Sequence, residues 1–215
     1  MESITVGGNT YNLVALPSTP GPAEIEFGMF DAIALNSSPY SLQQETQQWP
    51  GADAFDAKVT LPPMNSATAA PWRAFLAELR GQLNVFQLQD PSAPLLPLGN
   101  VLGSAPVVDS TSANLATTTT LGTSGWRQST ARVLLRGDRF QLGYRYHMVV
   151  EDVSSDSSGN AQVPIWPSLR EHPTAGTALV LRAPKALFRL AANRRAIQWS
   201  PARATTLSFP AMEVR

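Results

Sequence analysis

The chain has 215 residues, of which 43% are hydrophobic and only 15% charged, with sixteen Lys and Arg, sixteen Asp and Glu, two His and no Cys. That length can bury a sizeable core, and the missing cysteine excludes a disulfide frame and thiol chemistry. The balanced charge excludes the single-sign field that draws a protein to nucleic acid or anionic lipid, and a net charge near zero leaves self-association unopposed.

The N-terminal stretch from Met1 to Pro17 carries an acidic residue and no apolar run long enough for a signal peptide. No window approaches the ~18 apolar residues a membrane helix needs. The expectation is a soluble protein made in a cytoplasm. Eighteen prolines and fourteen glycines spread along the chain favour many short elements.

Ser3 to Val6 and Tyr11 to Ala15 flank Gly7-Gly8-Asn9, a hairpin signal. Glu24 to Phe27 alternates with period 2, as a half-buried strand does, and Thr46 to Trp49 and Asp56 to Leu61 are the next strand candidates. Between Ser66 and Gly81 the spacing changes. Trp72, Phe75, Leu76 and Leu79 fall at i, i+3, i+4 and i+7, which places them on one helical face. Pro71 is expected in or near the first turn, where its missing N–H does little harm. Arg80 suits the negative end of the helix dipole, and Gly81 suits a left-handed cap.

Asn84 to Leu88 resumes the alternation. The stretch 109–125 is rich in Ser and Thr and poor in charge, which fits either a mobile loop or a flat β-arm. From Arg132 onward the reading is almost wholly β: 133–135, 139–142, 144–153, 161–166, 177–182, 187–191, 196–199, 205–209 and 212–214. Arg136-Gly137-Asp138 and the stretch 154–160 supply turns within it. No internal repeat is visible. One helix among more than ten short strands predicts a mainly β domain over 1–215, an antiparallel β-sandwich or split barrel with one amphipathic helix packed on the sheet.

The candidate chemistry is thin. Arg136-Gly137-Asp138 matches an adhesion tripeptide, yet tight-turn chemistry already accounts for those residues. Asp152, Asp156 and Asn160 crowd one loop but lack the ligand spacing of a Ca²⁺ loop. His147 sits inside a strand pattern and reads as a core or sheet-face residue; His172 follows Glu171 in a polar segment. No G-x-S-x-G elbow supports a catalytic triad. Glu24 and Glu26 share a strand face as an acid–base pair would, and a solvated edge explains them equally. The glycines at 7–8 and at 99 and 103 lack the phosphate-loop pattern. Trp49, Trp72, Trp126, Trp166 and Trp199 are scattered without a basic cluster and read as core or interface anchors. No catalytic residue, metal ligand or cofactor is expected.

A consistent series of loose motifs runs from Val59 to Leu190. It comprises Val59-Thr-Leu-Pro-Pro-Met64, the helix from Trp72 to Gly81, Phe86-Gln-Leu-Gln-Asp-Pro91, Leu134-Leu-Arg-Gly-Asp138 and Phe140-Gln-Leu-Gly143. Asp156 with Gly159-Asn160-Ala161, Pro167-Ser-Leu-Arg170, Pro184 and Phe188-Arg-Leu190 complete it. In this order they resemble the distal tail proteins of long-tailed bacteriophages, structural subunits of the tail tip.

The resemblance implies a belt-like β domain that closes into a ring, commonly a hexamer, between the tail tube protein and the tail-tip hub protein of the virion. It implies neither catalysis nor a nucleic-acid or membrane partner. A second sugar-binding module, which many such proteins carry, has little room at this length. The alternatives are a receptor- or glycan-binding tail module and another tail-tip or tail-completion component. A ring subunit needs a docking element, and 109–125 is the sequence's candidate for an extended arm, with Leu115 and Leu121 as expected contacts to a neighbouring subunit.

Overall fold

The computed structural model describes residues 2–49, 51–101, 105–110, 118–194, 196, 198–199 and 205–215. In chain order its elements are β1 (Glu2–Val6), β2 (Asn9–Leu13), β3 (Glu24–Phe30), β4 (Ile33–Ser37), β5 (Gln44–Gln48), β6 (Ala54–Thr60), α1 (Ser66–Glu78), β7 (Phe86–Leu88) and β8 (Val107–Val108). There follow β9 (Thr120–Ser124), β10 (Arg139–Leu142), β11 (Arg145–Val149), β12 (Ala161–Trp166), β13 (Leu179–Val180), β14 (Ala186–Leu190), β15 (Gln198–Trp199), β16 (Thr205–Thr206) and β17 (Ser208–Glu213). The chain is mainly β with one helix, and its named strands pair antiparallel, as the alternation predicts. No helix among the described residues is long and apolar enough to cross a membrane.

A five-stranded sheet, ordered β3-β6-β17-β14-β7, organises the first core. Period-2 alternation puts Phe55, Ala57 and Val59 of β6, Phe209 and Ala211 of β17, Phe188 and Leu190 of β14, and Phe86 of β7 on its buried face. α1 covers one end of that face. Asn65 caps it, accepting the Thr68 N–H at 2.9 Å, and Trp72, Phe75, Leu76 and Leu79 are buried as their spacing predicts. Phe75 meets Phe86 edge-on at 5.5 Å. Thirteen residues make a marginal helix alone; burying four large side chains, at roughly 2 kcal/mol each, is what holds it.

The other end of the same face packs on a second sheet. Here Phe55 meets Trp166 of β12 at 4.7 Å and Tyr146 of β11 at 5.2 Å. That six-stranded sheet, ordered β13-β10-β11-β12-β9-β8, curls until its ends meet. Val107 bridges to Ala178, and the Val108 and Leu179 N–H groups donate to Thr177 O and Pro106 O, each at 2.9 Å. The result is a nearly closed barrel. Its interior is a separate core of Leu121, Phe140, Val149, Val163, Ile165 and their neighbours. On the far side of the five-stranded sheet, the β1–β2 hairpin covers Leu187 and Val214. Its turn is the expected Gly7-Gly8, both glycines at positive φ.

Three local expectations change. Pro71 lies in the second helical turn, because the helix starts as early as the Asn65 cap; the bond its N–H would make to Ala67 O is forgone. The left-handed backbone at the helix end begins at Arg80 (φ 49°) and continues through Gly81 (φ 72°). The stretch 109–125 is no free arm where it is described: Thr120–Ser124 is β9, an inner strand of the barrel between β12 and β8.

Candidate docking surfaces

The polar residues weighed as chemistry are committed to the fold. Asp138 is fully buried, and its carboxylate accepts the N–H groups of Leu98 (2.7 Å), Gly99 (3.1 Å) and Leu135 (2.8 Å). The Asp of an adhesion tripeptide must face a receptor, so this geometry removes that reading. Gly137 takes φ 90° in the turn closed by the Asp138 N–H on Leu135 O.

Asp156 is occupied by its own loop. Its carboxylate accepts the Asn160 and Ser158 N–H groups, and these bonds, Asn160 first, hold it below the usual carboxylate range. Asp152 is similarly lowered by the Arg136 N–H and by the Arg136 and Arg132 guanidiniums, each 3.6 Å away. Glu26, across from Lys58 in the β3–β6 ladder, is ion-paired with it at 2.8 Å. No group of three His, Asp or Glu among the described residues is arranged to hold a metal ion.

His147 is buried, as its strand position predicts. Its ring stacks on Phe140 at 5.4 Å, and Nδ1 donates to Pro167 O at 2.9 Å. A carbonyl can only accept, so Nδ1 carries the proton and Nε2, which has no protein partner, is a bare lone pair. Burial pushes the imidazole down to about 4, with Arg170 and Arg145 adding to the effect and the Pro167 bond opposing it. His147 therefore stays neutral at pH 7.

Around it lies a polar seam between barrel and sheet. Arg170 pairs with the buried Glu213 at 2.9 Å, Glu213 also accepts the Phe55 N–H, and Arg170 donates to Val214 O. Arg145 is paired with Glu171. A cavity of about 200 Å³ opens here, lined by Arg145, His147, Glu171 and His172 among others. Both guanidiniums are already neutralised by carboxylates, so the seam fastens the two sheets together.

The surface has a different character. Seven of the fourteen exposed large hydrophobic side chains among the described residues lie between 29 and 49: Met29, Phe30, Ile33, Leu35, Tyr40, Leu42 and Trp49. They belong to the end of β3 and to the β4–β5 hairpin. β4 and β5 pair only with each other, Ile33 opposite Gln48 through Ser37 opposite Gln44. Every β5 residue is exposed, and Tyr40 at the tip is 97% exposed. The root of the hairpin is fixed. Trp166 Nε1 donates to Asp31 at 2.9 Å, and the Gly51 N–H donates to Ser168 Oγ at 3.0 Å.

A lone two-stranded hairpin is marginal in water, and these seven side chains expose roughly 900 Å² at about 200 Å² per large side chain. A second cluster, Leu95, Leu96 and Leu98, stands exposed on the loop after β7.

Neither surface coincides with the arm expected from the sequence. Leu115 lies outside the described residues. Leu121 pairs with Val163 and is completely buried in the barrel core, so it offers nothing to a neighbouring subunit. Thr120–Ser124, at the end of the charge-poor run that suggested an arm, is an inner strand, for which a lack of charge is equally natural. β4 escaped the sequence reading because Ile33-Ala-Leu35 is too short to display a period. The available signal was Ile33 and Leu35 followed by Ser-Ser-Pro and a polar Gln-rich return strand. Among the described tryptophan side chains, Trp72 and Trp126 are core residues, Trp166 is half-buried, and Trp49 is the exposed one. Neither protein-family models nor curated proteins match this chain.

Proposed function

We propose that this chain is a structural component of a bacteriophage tail tip, a subunit of distal-tail type that closes into a ring joining the tail tube to the tip hub. The motif series from Val59 to Leu190 supports the family, and the mainly β fold with one packed helix is the architecture that family implies. The observation that carries the self-assembly part is the β4–β5 arm: a hairpin standing off both cores, apolar at its tip and along one face. Its exposed surface matches the ~800 Å² that each partner contributes to a standard interface. A marginal hairpin of this kind gains order when a neighbour covers it.

The test is the mass of the purified protein at micromolar concentration, with negative-stain images, for the full chain and for a variant in which an Asn-Gly turn joins Ala32 to Trp49. The full chain forms an annulus; the variant keeps its far-UV spectrum and runs as a monomer. A full chain that stays monomeric on its own and with tube and hub proteins overturns the proposal. A receptor-binding role draws on the exposed Trp49 ring, which suits a sugar face. Quenching of tryptophan fluorescence by simple sugars that Trp49→Ala abolishes would favour it.

A further inference from the structure

We infer that the acceptor for the β4–β5 arm is the Leu95–Leu98 loop of a second copy, so that each subunit gives its arm to one neighbour and its leucine ridge to the other. This rests on the self-assembly reading and names the contact that performs it.

The loop is built to present its leucines. Leu95, Leu96 and Leu98 expose 63%, 55% and 66% of their surface, yet the backbone beneath them is pinned. Asp138 takes the Leu98 and Gly99 N–H groups. Leu95 O accepts from the Ala183 N–H at 2.8 Å, and the Asn100 N–H donates to Arg132 O at 2.8 Å. Gly99 lies flat on the barrel, where a Cβ would come within 2.4 Å of Val133 O. Pro94 and Pro97 stiffen the rest. A loop pinned at Leu95 by Ala183 and at Leu98 and Gly99 by a buried carboxylate loses less entropy on docking.

Charge selects the occupant. The zero net charge conceals a strong segregation: seven acidic residues and no Lys or Arg precede Lys58, whereas seven basic residues and one acidic residue follow Ala178. The arm contributes Asp31 and Glu45 and no Lys or Arg of its own; Arg215 lies over Phe30 at its root, 5.6 Å from the ring centre, and leaves Glu45 toward the tip as the free carboxylate among the described residues. Beside the leucine loop stand Arg182 and Lys185, both exposed and without an ion-pair partner among the described residues. Arg132 and Arg136 lie on the same side, sharing Asp152.

Arm against arm would oppose like charges. Arm against loop joins an acidic apolar element to a basic apolar one. Two different patches on one chain make a heterologous contact, the kind that closes rings.

The chain has no native cysteine, so introduced ones report alone. L42C and L96C variants, mixed in equal amounts and oxidised, form a disulfide-linked heterodimer, while L42C alone does not link to itself. E45K weakens the oligomer several-fold, and K185E in the same chain restores it. An oligomer of unchanged mass whose L42C copies link to each other, or which E45K leaves unaffected, overturns the acceptor assignment and leaves self-assembly standing. A wild-type chain that stays monomeric both alone and with tube and hub proteins overturns both.

Discussion

Lowering the pH from 7 to 5 should unfold this protein more easily, and His147 sets the size of the effect. Its folded value, pushed down to about 4, lies below the ordinary 6.5 of an imidazole. Between those two values the unfolded chain binds a proton that the folded chain refuses. Stability is therefore complete above 6.5, is lost as pH falls through that value, and stops falling near 4. The slope approaches about 1.4 kcal/mol per pH unit, which integrates to roughly 2 kcal/mol between pH 7 and pH 5 and about 3 kcal/mol in full.

The reason lies in the surroundings. The ring is buried at the seam, Nε2 faces no acceptor, and the Arg170 and Arg145 guanidiniums disfavour a third positive charge despite Glu213 and Asp53 nearby. Urea unfolding followed by tryptophan fluorescence at pH 7, 6 and 5 measures it, with His147→Asn as reference. Asn cannot titrate, and its amide can still donate to Pro167 O. The wild type should lose about 2 kcal/mol more than the variant over that range; every other group is common to both proteins and cancels. Parallel pH dependences would refute the reasoning.

Leu121→Ala should cost about 2–5 kcal/mol by opening a cavity in the barrel, whereas Leu42→Ser should leave the melting curve of the monomer unchanged; calorimetry of both distinguishes core from docking surface. Glu213→Gln leaves Arg170 buried without its counter-charge and should destabilise by about 3–5 kcal/mol, seen as a lower urea midpoint with an unchanged slope. Pro71→Ala restores a helical N–H at an exposed position and should raise stability by roughly 1–3 kcal/mol, measured as a higher Tm.

How far the sequence could be read depended on the length of each pattern. The helix stripe from Trp72 to Leu79 and the alternation of Glu24 to Phe27, Asp56 to Leu61 and Ala161 to Trp166 each span enough residues to show a period, and all became elements facing the core as expected. Within the 109–125 stretch, Thr120–Ser124 departs from the expected arm for a physical reason. Thr and Gly without charge suit a solvent-facing ribbon and a strand buried on both faces equally, and only the neighbours β12 and β8 decide between them. The docking arm was missed for the converse reason: exposure of Ile33, Leu35 and Leu42 cannot be read from their identity, since apolar residues are normally buried.

By itself, the order of side chains determined that this protein would be mainly β with a single helix, where its glycine turns would fall, and that no charge or thiol chemistry would dominate it. Those are local matters, settled by backbone sterics and hydrophobic period. Tertiary structure alone decided that the strands divide into a nearly closed barrel and a five-stranded sheet, that Asp138 turns inward to hold a loop of leucines, and that the β4–β5 hairpin is left uncovered. Each of these depends on contacts between residues far apart in the chain, where closure of one sheet removes its edges and leaves another segment with nothing to pack against.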